Sequence, residues 1–212
     1  MYRLYDNLSS GNGWKCRWML TQLGQPFERV EIDIDKGESR TREFLAINPN
    51  GRIPVLQIGP GDYLPESNAI IWFLAEGTRF LPEGRRERAE LLKWLFWEQY
   101  SHEPNIATSR YWKTHRFEMT PERVHALVGK RELGYAALNQ MELHLNRHDW
   151  FVGGGVSIAD VALYAYTHVA EEGGFDLEGY PAVRRWLERF AAQPGHIAIT
   201  DDVGLKPLAP FS

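Results

Sequence analysis

The chain has 212 residues, 43% of them hydrophobic and 25% charged, which is typical of a globular protein with one large or two modest domains. Its formal net charge is −4 and it contains no basic run, so neither nucleic acid nor an anionic membrane surface is an expected partner. The longest strongly apolar stretch, Ala69–Ala75, is far shorter than the roughly 20 residues that span a bilayer. The single cysteine, Cys16, excludes an internal disulfide framework and a zinc site made of several cysteines, and we expect a cytoplasmic protein.

The first third of the chain alternates between strand and helix patterns. Residues 2–6 are predicted to form a strand, followed by a polar, glycine-containing loop over 7–13. Apolar residues then recur at i, i+3, i+4 and i+7 from Cys16, which predicts an amphipathic helix over 14–23. Partial alternation over 27–34 predicts a second strand, and two parallel strands joined by a helix form a βαβ unit.

The elements that follow extend this pattern into an α/β domain. A short helix is expected over 43–47 and a turn over 48–51. A strand over 53–58 is followed by a tight turn and a short partner strand, which predicts a β-hairpin. A helix over 67–76 comes next. The order βαβ, α, ββ, α predicts one domain over residues 1–78.

Beyond this point the patterns are almost all helical. A helix over 87–100 is apolar on more than one face, which predicts that it is buried or lies in an interface. Thr120 followed by proline predicts the start of a long helix, and Ser157 is expected to open another with a capping box and a hydrophobic staple. A further helix begins at Pro181. We therefore predict an all-helical domain over residues 86–212.

The most informative motif is N-P-N-G-R-I-P-V-L over residues 48–56. Pro54 stands where a strand begins, and a proline there cannot donate to a β-ladder. A cis Ile53–Pro54 bond would direct the N–H and C=O of Ile53 outward, as an edge for an extended peptide. We therefore predict a cis bond, although only about 5–6% of X–Pro bonds in folded proteins are cis.

With this motif and this order of elements, the sequence resembles the glutathione S-transferase superfamily. In that family the matching segment holds a cis-proline and pairs with the cysteinyl part of glutathione. The resemblance covers nearly the whole chain. It implies a thioredoxin-like, glutathione-binding domain over residues 1–78, followed by a helical domain over 86–212 that contributes the second-substrate pocket and dimer contacts.

A second match is the stretch from Pro65 to Ile70, which resembles the family's E-S pair that holds the γ-glutamyl end of glutathione. On this match Glu66 pairs with the α-ammonium, while Ser67 and the helix N-terminus behind it receive the α-carboxylate. Arg52, beside Ile53, is a secondary candidate for the glycyl carboxylate. The alternative for Ser67 is that it merely caps the helix.

The loop over residues 8–15 is similar to loops of bacterial and fungal members, close to the theta and nu types, that carry Thr-Pro-Asn-Gly or Ser-Gly-Asn. On that match Ser10 supplies the hydroxyl and Asn12 the amide that stabilise the glutathione thiolate, with Ser9 as the alternative if the register differs by one. The loop holds neither the tyrosine of mammalian-type members nor the cysteine of cysteine-type members. Simple turn hydrogen bonding by the two serines remains an alternative. Cys16 lies on the apolar stripe, which favours a buried hydrophobe over a nucleophile.

The resemblance implies an enzyme of detoxification that uses glutathione as co-substrate and attacks a small hydrophobic electrophile, a peroxide or a disulfide. Apolar surface for the second substrate is expected from Trp14, Tyr111, Trp112 and Phe117. We also expect a homodimer, because a stripe as apolar as that over 87–100 would be a liability in a monomer. The alternative is a non-catalytic module of the same fold that serves protein interaction. The retention of all three glutathione motifs argues against it.

Two other kinds of site are weakly supported. His144 and His148 stand i, i+4 on a predicted helix and could offer two metal ligands. No third ligand and no H-E-x-x-H pattern accompany them, so no metal is expected. The sequence also lacks the G-x-S-x-G elbow of serine hydrolases.

Overall fold

The computed structural model describes residues 1–115 and 117–206, and the chain divides into two compact units. The first comprises Met1–Glu76 together with the C-terminal segment from Pro194, and the second comprises Gly77–Gln193. The sequence placed that C-terminal segment with the helical domain, and the structure differs there. Leu205 forms a parallel bridge to the outer strand of the sheet of the first unit, which explains the difference.

In its described residues the first unit is a four-stranded mixed sheet with three α-helices, as the thioredoxin-like assignment predicts. The sheet order is β2-β1-β3-β4, with β1 parallel to β2 and antiparallel to β3, which in turn pairs antiparallel with β4. The elements are β1 (Tyr2–Asp6), α1 (Gly11–Gln22), β2 (Phe27–Glu31), α2 (Arg42–Ile47), β3 (Val55–Gly59), β4 (Asp62–Pro65) and α3 (Ser67–Ala75), with a 3-10 turn at Glu38–Arg40.

A hydrophobic core holds one end of this sheet together. It is formed by apolar side chains from β1, β2 and β3, from the residue after β2, and from α2. The partly buried side chain of Ile53 packs against this core, so the turn that precedes β3 is anchored by it. The members of the core are Tyr5, Val30, Ile32, Phe44 and Val55.

The predicted turn over residues 48–51 is present and is held by a buried side chain. The N–H of Gly51 donates to the carbonyl of Asn48 at 2.8 Å, and Gly51 has a φ of 59°, a value that favours glycine. The side-chain amide of Asn48 donates to the carbonyl of Arg52 at 2.7 Å. The Ile53–Pro54 bond that follows is cis, which confirms the prediction.

Helix α1 differs from its prediction in two ways. It begins at Gly11 instead of residue 14, because Ser10 acts as its N-cap and accepts from the N–H of Gly13 at 3.2 Å. It is also buried on nearly every side, Lys15 and Arg17 included, so it has no solvent-facing polar stripe. The C-terminal segment lies against it and supplies polar partners for Trp14 and Arg17, as the following contacts show.

Two aromatic residues and one arginine of α1 bond to the C-terminal segment. The indole N–H of Trp14 donates to the carbonyl of Ile197 at 2.9 Å. The guanidinium of Arg17 donates to the carbonyls of Ile199 and Asp201. The indole of Trp18 donates to a ring nitrogen of His196 at 3.3 Å.

The second unit is helical, as predicted. A π-helical turn at Glu98–His102 joins its first two helices, at the end of the stretch predicted as one helix over 87–100. Thr120 caps the longest helix by accepting from the N–H of Arg123, which confirms the predicted start. Within the described residues no helix is long and apolar enough to cross a membrane. The helices are α4 (Arg85–Trp97), α5 (Glu103–Thr114), α6 (Pro121–Leu145), α7 (Ile158–Thr167) and α8 (Pro181–Ala191).

The predicted capping box at Ser157 is present and forms a polar centre inside the helical unit. The carboxylate of Asp160 accepts from the backbone N–H and the hydroxyl of Ser157 at 2.9 and 2.8 Å. It also accepts from the N–H of Phe151 at 3.1 Å and from the indole of Trp186 at 3.0 Å. Burial nevertheless raises the pKa of Asp160 to about 6. The box therefore joins α7, α8 and the loop before α7 through one buried acid.

The burial of Asp160 leads to a prediction about how the stability of the protein depends on pH. Because the folded pKa of about 6 lies above the ordinary value of 3.8, the folded protein keeps a proton that the unfolded chain has already released between these pH values. The wild type should therefore lose stability relative to Asp160→Asn as pH rises from 4 to about 6.5. A shift of about two units corresponds to a change of roughly 3 kcal/mol.

Urea denaturation of both proteins across this pH range measures the difference in unfolding free energy. Exposed carboxylates titrate in the same way in both proteins, so their contribution cancels when the two unfolding free energies are subtracted. A difference that stays constant between pH 4 and pH 7 would contradict the prediction.

Candidate active site

The backbone just before β3 is open to a ligand. The ladder of β3 begins at Val55, which pairs with Tyr5 of β1 and Pro65 of β4, so Ile53 lies beyond it. Neither the N–H nor the C=O of Ile53 bonds to another residue in the described part of the chain. Pro54 is buried and Ile53 is partly exposed. The segment can therefore pair with an extended peptide through its main chain, the geometry that the motif predicted.

Glu66 has an unusual backbone conformation at the junction of β4 and α3. Its φ is 72° and its ψ is 110°, and it is the only non-glycine residue with positive φ among those the structure describes. Such a conformation costs on the order of 1–3 kcal/mol and tends to be found at functional sites. Its carboxylate side chain is exposed to solvent. Strain and exposure together fit a residue that is held in place to contact a ligand.

Ser67 is the first residue of α3 and not its cap, so the interpretation of Ser67 as an N-cap is wrong. The cap position belongs to Glu66, whose side chain makes no capping bond. The first N–H groups of α3 therefore have no side-chain cap, and a helix N-terminus of this kind attracts an anion. Ser67 is 5% exposed, and its hydroxyl donates to Oδ1 of Asn12 at 3.1 Å.

Ser10 has a hydroxyl group suited to donation. Its Oγ accepts from Gly13 in the cap of α1, and no residue in the described ranges accepts its own hydrogen. Ser10 is partly exposed, at the positive end of α1. The hydroxyl of Ser9, in contrast, already donates to Oδ1 of Asn7 at 2.7 Å. The geometry therefore favours Ser10 over Ser9.

The structure brings the two predicted halves of the site into contact through Asn12. Asn12 lies in the first turn of α1, two residues after Ser10, and bonds to Ser67 at the start of α3. The loop that carries the hydroxyl and amide groups therefore adjoins the segment that carries Glu66 and Ser67. The sequence motifs did not by themselves predict this bond.

Lys15 is a residue of this site that the sequence analysis did not single out. It is fully buried, and its Nζ lies 3.5 Å from Oγ of Ser67 and 3.3 Å from Oδ1 of Asn68. The sequence does contain an indication that Lys15 has an unusual environment. Lys15 and Arg17 interrupt the apolar stretch on either side of Cys16, where a buried helix would be expected to carry uncharged residues.

Cys16 is fully buried, which confirms its interpretation as a hydrophobic residue. Burial raises the pKa of its thiol well above the usual range, with a further contribution from Asp6. Its sulfur lies 3.7 Å from the carbonyl oxygen of Asn12. A buried thiol that resists ionisation is unsuited to nucleophilic attack.

The aromatic residues expected around the second substrate have different environments. Trp14 is fully buried and bonded to Ile197, so the expectation that it offers surface to a substrate is wrong. Tyr111 and Trp112, near the end of α5, and Phe117 after it, are each partly exposed. The rings of Tyr111 and Phe117 lie 5.0 Å apart. Arg52 is exposed.

His144 and His148 stack on each other with ring centroids 4.5 Å apart. A ring nitrogen of His144 also lies 3.2 Å from the carbonyl oxygen of Trp150. Within residues 1–115 and 117–206, no group of three or more histidine, cysteine, aspartate or glutamate side chains is placed to hold a metal ion.

Comparison with known proteins identifies both parts of the chain. Residues 1–76 match the family model of the glutathione S-transferase N-terminal domain, and residues 117–194 match that of the glutathione S-transferase C-terminal domain. The Escherichia coli K12 disulfide-bond oxidoreductase YfcG is 32% identical over 190 residues, which cover 86% of this chain and 87% of YfcG.

Two solved structures illustrate the similarity. A possible glutathione S-transferase from Rhodopseudomonas palustris is 47% identical, with a TM-score of 0.92 over 99% of this chain and 94% of the other. Glutathione transferase URE2P8 from Phanerochaete chrysosporium, solved with oxidized glutathione, is 26% identical, with a TM-score of 0.80 over 92% of this chain and 90% of the other. By these matches the chain belongs to the glutathione S-transferase family and is an enzyme of the glutathione transferase type.

Proposed function

We propose that the first unit binds glutathione along Ile53, with the γ-glutamyl end at Glu66 and the start of α3, and that Ser10 and Asn12 stabilise its thiolate. The observation that carries this proposal is the 3.1 Å bond between Ser67 and Asn12. Because of that bond, an anion-attracting helix end and a loop of hydrogen-bond donors lie side by side. A short peptide with a carboxylate and a thiol requires both.

The free energy that the site must supply to ionise the glutathione thiol is modest. A free cysteine-type thiol has a pKa of about 8.5, so only about 3% of it is thiolate at neutral pH. Lowering that pKa by about two units requires roughly 2.7 kcal/mol. One hydrogen bond to a charged acceptor contributes about 1.5–3 kcal/mol, and a helix N-terminus contributes about 0.3–1 kcal/mol. The hydroxyl of Ser10 and the N-terminus of α1 together could supply this amount.

The thiolate then has three kinds of reaction partner. It can displace a leaving group from an electrophilic carbon to form a thioether. It can also attack one sulfur of a disulfide, which forms a mixed disulfide with glutathione and releases the other sulfur as a thiolate. The second reaction is favoured by the similarity to YfcG, which is named as a disulfide-bond oxidoreductase. Peroxide reduction is a third possibility, in which the thiolate attacks one oxygen of the O–O bond, that bond breaks, and glutathione becomes a sulfenic acid while the other oxygen leaves as an alkoxide.

The apolar part of a second substrate could contact the partly exposed residues Tyr111, Trp112 and Phe117. Arg52 is exposed one residue before Ile53, which suits an interaction with the glycyl carboxylate. A cytoplasmic detoxifying role is part of the same proposal, since reduced glutathione is the thiol pool of the cytosol.

A homodimer is also part of the proposal, and an exposed apolar stripe supports it. Leu92, Phe96 and Tyr100 follow one another at intervals of four residues along α4 and the π-helical turn, and their exposed fractions are 38%, 71% and 86%. Residues at this spacing share one face of a helix. Such a face on a monomer would be unusual, which supports a second copy as the partner that covers it.

Ser10→Ala tests the assignment of the thiol activator. The variant should raise the pKa of the bound glutathione thiol towards that of the free thiol and lower turnover at neutral pH by about tenfold, because the donor to the sulfur is lost. Titration of thiolate absorbance in the complex measures the pKa. Turnover is measured with a panel of electrophiles, hydroperoxides and mixed disulfides.

The control must account for the second task of Ser10, the cap of α1. Thr120→Ala removes an equivalent cap from α6 and should reduce stability by about 1 kcal/mol without altering the thiol. If Ser10→Ala leaves both the bound thiol's pKa and the turnover unchanged, Ser10 is not the activator, and Asn12→Ala is the next variant.

Glu66→Gln tests the γ-glutamyl contact. The variant should bind glutathione about tenfold more weakly, or by about 1.4 kcal/mol, because the charge that pairs with the α-ammonium is gone. Calorimetric titration measures the affinity. Glu66→Gly should also bind glutathione more weakly. Its free energy of unfolding should nevertheless be about 1 kcal/mol higher than that of the wild type, because glycine tolerates a φ of 72°.

The matched control is Asp62→Asn, which neutralises an exposed carboxylate of β4 at the other end of that strand. It should bind glutathione as the wild type does. A near-neutral effect of Glu66→Gln would mean that the γ-glutamyl end is held elsewhere.

Phe96→Glu tests the homodimer. The wild type should sediment as a species of twice 24.5 kDa at micromolar concentration, whereas Phe96→Glu should sediment as a monomer because two charges would face each other in an apolar contact. Leu143→Glu, at an apolar residue of α6 that is 64% exposed, should leave the dimer intact. A wild type found only at 24.5 kDa would rule the dimer out.

A further inference from the structure

Lys130 is a partly buried cation of α6 that carries no ion pair. Its Nζ donates to the carbonyl of Pro104 at 2.7 Å and lies 5.8 Å from the centre of the Trp112 ring. Within the described residues it pairs with no aspartate or glutamate. Burial lowers the pKa of its ammonium, and no neighbouring acid opposes that effect. The buried Arg110, in contrast, pairs with Glu172 at 2.7 Å. Lys130 therefore keeps N–H donors and a charge that an anionic ligand can use.

The same face of α6 carries a second cation over a second aromatic ring. Arg123 lies seven residues before Lys130, a spacing at which two side chains share one face of a helix. Its Cζ lies 5.0 Å from the centre of the Phe117 ring, and its Nη1 donates to the carbonyl of Glu118 at 2.6 Å. It too has no ion pair in the part of the chain that the structure describes. Both cations thus meet rings and main-chain oxygens instead of acids.

The two rings belong to the group proposed to contact the second substrate. Phe117 lies 5.0 Å from the ring of Tyr111, and Trp112 is the next residue along α5. All three rings are partly exposed, as is Lys130. An aromatic surface edged by positive charge attracts a planar ligand that carries negative charge, and it favours that ligand over a neutral one of the same shape.

We propose that Lys130 binds a carboxylate on the second substrate, whose aromatic ring lies against Trp112. The substrate class is then an aromatic acid with an electrophilic carbon or a disulfide sulfur. This inference rests on the proposed function, which supplies the contact between the second substrate and these aromatic residues. With an aryl halide, the glutathione sulfur bonds to the ring carbon, the carbon–halogen bond breaks, and the halide leaves with its electron pair. Lys130 binds the carboxylate and takes no part in that step.

Two unreactive thioethers test this inference by binding alone. S-(p-carboxybenzyl)glutathione and S-(p-carbamoylbenzyl)glutathione have nearly the same shape and differ by one negative charge. The wild type should bind the carboxylate about tenfold more tightly, because a partly buried ammonium forms a charge-assisted hydrogen bond with it. Lys130→Met should abolish this preference and keep the affinity for the carbamoyl compound within about twofold. Calorimetric titration measures all four affinities.

The matched control is Arg131→Met, which removes the same charge one residue further along α6. Arg131 is exposed, and its Cζ lies 5.7 Å from the centre of another aromatic ring, that of Tyr135. This variant should keep the preference for the carboxylate. An equal loss in both variants would show that only the general positive potential attracts the ligand, and would overturn the assignment to Lys130. A preference that survives Lys130→Met would overturn it as well.

The wild type distinguishes failure of this inference from failure of the proposed function. If it binds neither thioether, the proposed glutathione site is wrong, and the inference falls with it. If it binds both equally, only the inference is wrong. Circular dichroism checks folding. Should Lys130→Met not fold, Lys130→Gln decides, because glutamine retains an N–H donor and lacks the charge, so the preference should again disappear.

Discussion

The first unit is organised around a buried ion pair between Asp6 and Arg17. The Nε of Arg17 lies 2.9 Å from the carboxylate, and neither side chain is exposed. The guanidinium also donates to the carbonyls of Leu8, Ile199 and Asp201. Desolvation raises the pKa of Asp6 to about 6 and lowers the pKa of Arg17, so each charge depends on the other. One side chain thus connects the end of β1, the loop before α1 and the C-terminal segment.

This ion pair also determines where α1 begins. A Cβ atom at Gly13 would lie 1.5 Å from Oδ1 of Asp6, so only glycine allows the helix to approach the carboxylate so closely. The N–H of Gly13 in turn donates to Ser10, whose hydroxyl is the proposed activator. The location of Ser10, and of Asn12 two residues later, is therefore set by an ion pair behind the site. Removing one partner of such a pair typically costs about 3–5 kcal/mol.

The features that the sequence predicted correctly depend on a few adjacent residues. The cis bond at Ile53–Pro54 and the capping box at Ser157 are examples, because their geometry is local. The burial of Lys15 and Arg17 could not be predicted in this way. Lys15 contacts Ser67, which lies 52 residues further along the chain. Arg17 has Asp6 and Leu8 close by in the sequence, but it also donates to Asp201, which lies 184 residues further along. Without such distant partners each charge would belong at the surface. Likewise, the bond from Ser67 to Asn12 joins two motifs whose relative placement only the folded sheet determines.

The bridge between the C-terminal segment and β2 has a consequence for folding during synthesis on the ribosome. Leu205 accepts from the N–H of Arg29 at 2.8 Å and donates to the carbonyl of Phe27 at 2.9 Å, which covers the outer edge of the sheet. Domains generally fold in the order in which they are translated. Here the whole helical unit, Gly77–Gln193, is translated before the residues that cover β2. The nascent sheet therefore keeps an open edge, a site of unwanted strand pairing, until translation has passed Leu205.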